Sequence, residues 1–447
     1  MDKPYTVVDL FSGCGGLSYG FFRHNFKIIA AVDAEVSKPS AGRGRSNCNT
    51  TYEINLGIKP LSLDILTLEP EQLSQEIQDL TPPPTTGALT VLLCSPPCTD
   101  FSRAKPQNHG IDSINNSLVV KCAEIVEALL PEFVVLENAR KLIRGNHSHH
   151  YKEFKNRLEC LGYRVEGGVY MLDKYGLPQK RERAIVIASR SSSVKTLDDL
   201  WDGWKVKRGA TTVRHAIGYL ARRPIEAGKL SSRDPMHRSP GLSDAVHRRI
   251  DAIPKNGGSW RHLAQSKQYK KLLIRSMKRK LNEKNLGSHT DVYGRLFWDR
   301  PAVTIKRECA HVGNGRYVHP EQTRLLTVRE MALLQGFPRT YAFNAASLAN
   351  NYRHIGDAVP PLIAYQIASL IIWMKTGLRP NPEEWILPGT SLRVSDVATA
   401  SRHTESKAAN GSGLAGPISE PSVEGVYGRS LPRLHPANPL PVVAALR

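Results

Sequence analysis

The sequence has none of the features that mark a membrane or secreted protein. No stretch of it approaches the roughly 20 apolar residues that a helix needs to cross a bilayer, so we expect no membrane-spanning segment. The first residues, MDKPYTVVDL, lack the apolar core of a signal peptide. The seven cysteines are odd in number and scattered, which is typical of reduced thiols rather than of a disulfide framework. We therefore expect a cytoplasmic protein with at least one thiol available for chemistry.

Acidic residues and metal-ligand spacings are also scarce. The 447 residues include 41 Asp and Glu against 61 Lys and Arg, and the resulting net charge of +20 predicts binding to a polyanion. Nucleic acid is the commonest such partner and an acidic membrane surface the second, and charge alone does not choose between them. Cys94 and Cys98 lie close together, but no second Cys pair stands at zinc-ligand spacing. We therefore expect no structural metal site.

Apolar runs and helical patterns alternate along the chain. Runs rich in β-branched residues predict buried strands over residues 5–10, 27–32, 89–94, 133–136 and 184–188. Between the third and fourth, residues 118–130 have apolar side chains at helical spacing. Thr327 and Glu330 form a capping box that predicts a helix ending at Gly336, and a longer helix follows Pro361. This alternation predicts an α/β fold with a mostly parallel sheet, in which ligands bind outside the carboxyl ends of the strands.

Composition divides the chain into four segments. Residues 1–190 and 300–387 have α/β character, whereas 191–299 lose the strand signals, become rich in Lys and Arg, and are expected to form a smaller domain. Within that domain, KQYKKLLIRSMKRKLNEK can be drawn as one helix with Leu273, Met277 and Leu281 on one face. A solvated helix and a phosphate-binding helix are equally consistent with it. Residues 388–447 are dominated by Ser, Gly, Ala and Pro and predict a disordered tail.

A glycine-rich segment follows the first predicted strand. In VVDLFSGCGGLSYGFF, Gly13, Gly15 and Gly16 stand between a strand and a helix, where missing side chains let backbone amides approach a ligand. A tight turn without a ligand is the alternative. The next strand ends at Asp33, where such folds hydrogen-bond a ribose, and Asp64 is a second acid that could contact an adenine amino group.

Cys98 occupies a position suited to a nucleophile. It follows two prolines directly after a buried strand, in VLLCSPPCTDFS, and so stands on a stiff loop at the carboxyl edge of the sheet. A thiol there needs a lowered pKa or a nearby proton acceptor to attack efficiently, and FVVLENAR and QKRER supply candidates. Without such partners, a buried small apolar side chain is the more usual role of a cysteine.

Glu137 and two arginines are the candidate partners of Cys98. Glu137 directly follows the strand at residues 133–136, and a carboxyl in such a cleft can donate a proton to a ring nitrogen. A helix-capping or salt-bridged acid is the alternative. Arg181 and Arg183 are two residues apart at a strand start, so both are expected on one face, in reach of a base oxygen, a phosphate or Glu137.

Taken together and in this order, the segments closely resemble the cytosine-5 DNA methyltransferases, the family of bacterial modification enzymes. The resemblance runs from Tyr5 to about Trp373 and is carried by six motifs: FSGCGG, SPPCTDFS, ENAR, QKRER, RPAVTI and IGDAVPPLIA. It implies a Rossmann-like fold that binds S-adenosylmethionine, completed by residues 300–387, with residues 191–299 as the target recognition domain. It also implies methyl transfer to carbon 5 of a cytosine flipped out of double-stranded DNA.

The resemblance assigns roles to individual residues. Cys98 would attack carbon 6 of the cytosine, Glu137 would bind or protonate ring nitrogen 3, and Arg183, with Arg181 beside it, would hold the carbonyl oxygen. The implied cofactor site comprises Phe11, Ser12, Gly13, Gly15, Gly16, Leu17, Asp33, Asp64, Ile65, Pro97, Leu118, Asp357 and Val359. The expected setting is a monomer on the DNA of a bacterial nucleoid, as an orphan enzyme or with a restriction endonuclease that acts on the same site.

The chain departs from the family pattern at three places. Asp357 replaces the usual Asn, and its carboxylate could repel the carboxylate of the cofactor or a DNA phosphate. Ala139 replaces the valine of the ENV motif, and residues 37–47, SKPSAGRGRSN, form a basic insertion. Two alternatives stay open: a related enzyme that acts on transfer RNA, and a DNA-binding protein that kept the fold without catalysis.

Overall fold

A six-stranded sheet forms the centre of the protein. The computed structural model describes residues 4–35, 46–80, 89–97, 114–281 and 291–400. The strands of the sheet are β1 (Thr6–Leu10), β2 (Lys27–Val32), β3 (Val91–Cys94), β4 (Phe133–Ala139), β5 (Arg164–Met171) and β6 (Glu182–Ser189). Their spatial order is β2-β1-β3-β4-β6-β5. Neighbours among β1 to β4 are parallel, and only β6 runs the other way, against both β4 and β5. The mostly parallel α/β sheet predicted from the sequence is confirmed.

Five of these strands coincide with predicted segments, whereas β5 was not predicted. Its sequence, RVEGGVYM, contains two adjacent glycines, and several of its residues are exposed. β5 lies at the edge of the sheet, next to β6 alone. An edge strand in an antiparallel pair is not buried on both faces, so it lacks the continuous apolar run by which the other strands are recognised.

Helices cover both faces of the sheet. The described helices are α1 (Gly16–Phe22), α2 (Cys48–Leu56), α3 (Pro70–Leu80), α4 (Ile114–Leu129), α5 (Lys141–Arg144), α6 (His149–Cys160), α7 (Leu197–Trp201), α8 (Val213–Ile217), α9 (Asp244–Asp251), α10 (Trp260–Gln265), α11 (Arg275–Lys280), α12 (Val328–Leu334), α13 (Leu348–Asp357), α14 (Pro361–Thr376) and α15 (Pro382–Trp385). Val7 and Leu93 pack with α1, α12 and α14 on one face, and Val8 and Leu92 pack with α3, α4 and α6 on the other. Alternate strand residues thus enter two separate cores, as the pleat requires.

The described residues of the segment 191–299 lie outside the six-stranded sheet and consist largely of short helices and turns. Their buried side chains, among them Val213 and Trp260, belong to the same apolar cluster as Val7 of β1. The predicted single helix over KQYKKLLIRSMKRKLNEK is wrong, because Leu273 and Ile274 adopt extended backbone angles between a short turn and α11. With the helix interrupted at Leu273 and Ile274, Leu273 and Met277 are buried, while Leu281 is 40% exposed.

The helices after residue 326 follow their sequence signals. The Thr327 side chain accepts from the backbone amide of Glu330, and the Glu330 carboxylate accepts from that of Thr327, which confirms the capping box. α13 and α14 together are long and apolar enough to cross a membrane by length and composition, but 89% of that apolar window is buried inside the protein. They serve as core helices here.

The predicted tail begins later than composition indicated. A short strand, β8 (Val397–Thr399), pairs antiparallel with β7 (Trp204–Val206). Leu392 is buried, and a Cβ atom on Gly176 would overlap its side chain. Residues 388–400 are therefore part of the folded chain, which corrects the boundary at 388, and residues 401–447 lie outside the described part.

Candidate active site

The glycine segment between β1 and α1 is a tight turn built for small residues. Phe11, Gly13 and Gly15 have φ angles of 61°, 52° and 88°, in the left-handed region that is costly for most side chains. A Cβ atom on Gly16 would lie 2.3 Å from the carbonyl oxygen of Val359, so the turn packs directly on the backbone before α14. Phe11 is not a glycine, and a strained position of this kind is often found at ligand sites.

Asp33, at the end of β2, is bonded to this turn. Its Oδ2 accepts the backbone amide of Gly13 at 2.9 Å, and its Oδ1 accepts the amide of Glu35 at 2.7 Å. The Cys48 thiol also points at Oδ1, at 3.4 Å. These donors fix the orientation of the carboxylate and hold it beside the glycines that the sequence placed at the same sheet edge.

The segment that contains Asp64 and Ile65 runs alongside β2. The amide of Leu61 donates to the carbonyl of Ala31 at 2.8 Å, and the amide of Asp33 donates to the carbonyl of Leu61 at 3.0 Å. Ile65 is buried, whereas Asp64 is exposed and its Oδ1 accepts the amide of Leu66 at 3.0 Å. The structure thus brings both predicted residues to the edge at which Asp33 lies.

Buried polar groups beneath the glycine turn provide a test of whether a cofactor fits there. One oxygen of Asp9 and the hydroxyl of Ser12 are buried and, within the described ranges, have no hydrogen-bond partner. Burial raises the pKa of Asp9 to about 7, while the hydrogen bond from Ser18, at 2.5 Å, opposes the shift. Buried polar atoms without a hydrogen-bond partner, beside a strained and glycine-rich turn, fit a polar ligand such as S-adenosylmethionine.

Cys98, the predicted nucleophile, lies outside the described residues, but the segment leading to it is held from two sides. The Ser95 hydroxyl donates to the carbonyl of Phe11 at 3.1 Å, and the buried Asn138 amide donates to the carbonyl of Pro96 at 3.0 Å. Pro97 is exposed. The sequence alone assigned no role to Ser95 or Asn138. Ser95 follows β3 and Asn138 is near the end of β4, and these parallel strands are neighbours, so both residues come to one edge of the sheet.

Glu137 and Arg183 are in direct contact. Arg183 Nε lies 2.8 Å from Glu137 Oε1, and the two side chains are only 14% and 11% exposed. Among the described residues this oxygen accepts no hydrogen bond, so the contact is an ion pair rather than a directed hydrogen bond. Glu137 follows the apolar part of β4 and Arg183 is near the start of β6, and the antiparallel register of these strands brings them together. The pair places a carboxylate and a guanidinium at the end of β4.

Arg181 has a different environment from Arg183. Its side chain is buried, and its guanidinium donates to the carbonyls of Ile305 at 3.0 Å and of Gly356 and Ala358 at 3.3 Å each. Arg181 therefore joins the RPAVTI segment to the end of α13. Of the two arginines expected on one face, only Arg183 reaches Glu137.

The remaining predicted cofactor residues come from three helices. Leu17 in α1, Leu118 in α4 and Val359, just before α14, are buried. Asp357, the last residue of α13, is paired with Arg307, whose Nε lies 2.8 and 2.7 Å from the two carboxylate oxygens. Sequence reasoning missed Arg307, because nothing in the local sequence indicates a partner 50 residues away.

Comparison with known proteins shows the family to which the chain is similar. A family model for C-5 cytosine-specific DNA methylase matches residues 5–373. The Type II methylase M.HgiDII of Herpetosiphon aurantiacus is 30% identical, over 83% of this chain and 96% of its own length. The Type II methyltransferase M1.HphI of Haemophilus parahaemolyticus is 29% identical, over 83% and 87%. In fold, the chain is similar to a structure described as a DNA modification methyltransferase encoded within an E. coli prophage, with a TM-score of 0.55, 22% identity, and coverage of 83% and 99%.

Proposed function

The chain belongs to the family of C-5 cytosine-specific DNA methylases, which use S-adenosylmethionine, and we propose that it methylates a cytosine flipped out of a specific duplex sequence. The contact between Glu137 and Arg183 carries this proposal. The pair lies at the end of β4, where Asn138 holds the segment that leads to Cys98. In this proposal the nucleophile follows β3, the proton donor is in β4 and the cation is in β6, three neighbouring strands of the sheet.

The proposed reaction begins with addition of the Cys98 thiolate to carbon 6 of the cytosine, which needs the base outside the helix. Glu137 holds or protonates ring nitrogen 3, and Arg183 orients Glu137 and holds the carbonyl oxygen of the base. The added electron density reaches carbon 5. Bound S-adenosylmethionine supplies an electrophilic sulfonium methyl group. Carbon 5 takes that methyl group, and loss of the carbon 5 proton to water then restores the double bond and releases Cys98 as a thiolate.

The cofactor is assigned to the turn between β1 and α1. A Cβ atom at Gly13 would meet little, so its backbone is open to a ligand, whereas Gly15 and Gly16 let the turn pack closely on the rest of the protein. Asp33 is held at the same edge to meet hydroxyl groups. Asp64, Ile65, Pro97, Leu118 and Val359 complete the proposed enclosure, together with Phe11, Ser12, Leu17 and Asp357. Arg181, which contacts three carbonyls, acts as a positioning residue in this assignment.

Residues 191–299 are the proposed target recognition domain. Their Lys and Arg side chains supply phosphate contacts, which make DNA affinity strongly salt-dependent, while a few side chains read the bases. The relatives include Type II methylases, so a restriction endonuclease that shares the site is one proposed partner, and action as an orphan enzyme is the alternative. The proposed setting is a monomer bound to DNA in the bacterial cytoplasm.

A Glu137→Gln variant tests the catalytic proposal. Loss of the carboxyl group should slow methyl transfer from labelled cofactor by about 10²–10⁴-fold, the usual contribution of acid–base assistance. Glu182→Gln is the matched control, because Glu182 is next to Arg183 but pairs with Arg140 at 3.3 Å. An unchanged rate in Glu137→Gln would return Glu137 to a structural role.

Substrate class needs separate measurements. Wild-type protein should methylate duplex DNA and not transfer RNA, and methylation of transfer RNA alone would favour the related RNA enzyme. A covalent adduct with DNA containing 5-fluorocytosine should form, and its absence would favour a silent DNA-binding protein. Cytosine-methylation sequencing of DNA from expressing cells would then give the recognised sequence.

A further inference from the structure

The side chain of Asp357 brings a negative charge close to the glycine turn. α13, which ends at Asp357, packs on this turn, since the Cys14 thiol points at the carbonyl of His354 at 3.5 Å. Burial, followed by the charge of Asp357, raises the pKa of the Cys14 thiol. Without a partner for Asp357, an anionic group of a ligand at this turn would be repelled by the same charge.

Arg307 is fixed opposite Asp357 by the backbone rather than by its side chain alone. A Cβ atom on Gly356 would lie 2.3 Å from the carbonyl oxygen of Lys306 and 2.6 Å from the amide of Arg307, so the two segments touch backbone to backbone. Arg181 also bridges them, through the carbonyls of Ile305 and Gly356. The contact between Arg307 and Asp357 is therefore built into a rigid junction.

The geometry of this junction points to a role for Arg307: we propose that it neutralises the charge of Asp357. The glycine turn can then accept the carboxylate of the cofactor as if an uncharged residue stood at position 357. Arg307 Nε lies 2.8 and 2.7 Å from the two carboxylate oxygens, so its positive charge is held directly against the negative one. The pair thus takes the place of the asparagine that is usual in the family. Arg307 is a positioning residue in this scheme. The inference rests on the proposed location of the cofactor at the turn.

Binding of S-adenosylhomocysteine, which retains the amino-acid carboxylate, tests the role of Arg307 without DNA. The pair is partly exposed, at 34% and 44%, so calorimetry should show about two- to fivefold weaker binding in Arg307→Ala at low salt. The deficit should shrink in high salt, where charge repulsion is screened. The double variant Arg307→Ala/Asp357→Asn should regain most of the affinity.

Arg353→Ala is the matched control. Arg353 pairs with Glu308 at 3.4 Å and so joins the same two segments without contacting Asp357. Its affinity for S-adenosylhomocysteine should stay near that of wild type. Equal losses in Arg307→Ala and Arg353→Ala, or no recovery in the double variant, would overturn the proposal.

Asp33→Asn separates this inference from the cofactor assignment itself. If the cofactor lies at the glycine turn, Asp33→Asn weakens binding, because Asp33 is bonded to Gly13. Weak binding in Asp33→Asn with normal binding in Arg307→Ala would reject the role of Arg307 alone. Normal binding in Asp33→Asn would instead reject the cofactor site and with it the inference.

Discussion

Replacement of Asp9 by Asn should change how the stability of the protein depends on pH. Asp9 is completely buried, and burial raises its pKa from the usual 3.8 to about 7. The folded protein therefore binds the proton more tightly than the unfolded chain, and the free energy of unfolding falls as pH rises between these two values. At about 1.4 kcal/mol per pH unit, the full loss above pH 7 is on the order of 4 kcal/mol.

Replacement by Asn removes the pH-dependent loss of stability but introduces a smaller cost of its own. It can still accept the hydrogen bond from Ser18, but its amide takes the place of a carboxylate oxygen that has no partner within the described residues. An unpaired buried donor costs about 1–3 kcal/mol. Asp9→Asn should therefore be more stable than wild type by about 1–3 kcal/mol near pH 8, and less stable than wild type near pH 4.

Urea unfolding of both proteins across this range, without cofactor, measures the effect. Between about pH 5.5 and 7 the difference in free energy of unfolding should move by roughly 2 kcal/mol in favour of Asp9→Asn. Asp64→Asn removes a carboxylate from the surface and controls for the change in net charge. Parallel pH profiles for wild type and Asp9→Asn would refute the conclusion that Asp9 is the buried group responsible.

Three further predictions concern the nucleophile, the glycine turn and the core. Cys98→Ala should abolish methyl transfer while duplex binding, measured by fluorescence anisotropy, survives; substantial residual transfer would reject the nucleophile assignment. Gly16→Ala should lower the free energy of unfolding by about 1–3 kcal/mol and weaken binding of S-adenosylhomocysteine, because its Cβ would lie 2.3 Å from the Val359 carbonyl; calorimetry that finds wild-type affinity would contradict this. Glu330→Gln should cost about 3–5 kcal/mol in urea unfolding, because it leaves the buried Arg324, which Glu330 contacts at 2.8 Å, without a charge partner; a loss below about 1 kcal/mol would argue against it.

The sequence predicts the elements whose stability is local. The capping box at Thr327 and Glu330 is visible in four consecutive residues, and the parallel strands are visible as apolar runs, because burial on both faces leaves no alternation. β5 and the break at Leu273 depend on packing against distant residues. One continuous helix would place Leu273 and Met277 on the same face, yet the structure buries both with Leu273 in extended backbone and Met277 in α11.

The site divides in the same way. The positions of Glu137 and Asp33 are predictable, because residues at the carboxyl ends of parallel strands come to one edge of the sheet. The role of Arg307 is not predictable, since its pairing with Asp357 depends on where the segment after RPAVTI meets the end of α13. The repulsion expected from Asp357 was inferred without that partner, and the ion pair with Arg307 opposes it.

Arg181 and Arg183 show why spacing alone could not assign their roles. Two residues that are two positions apart share a face only if both belong to the strand. β6 begins at Glu182, one residue after Arg181. Arg183 is in the strand, where it pairs with Ala139 of β4 and contacts Glu137. Arg181 precedes the strand, so its direction is set by the three carbonyls that accept its hydrogen bonds. A guanidinium can donate to several carbonyls at once, and this makes Arg181 a buried connector of segments far apart in sequence.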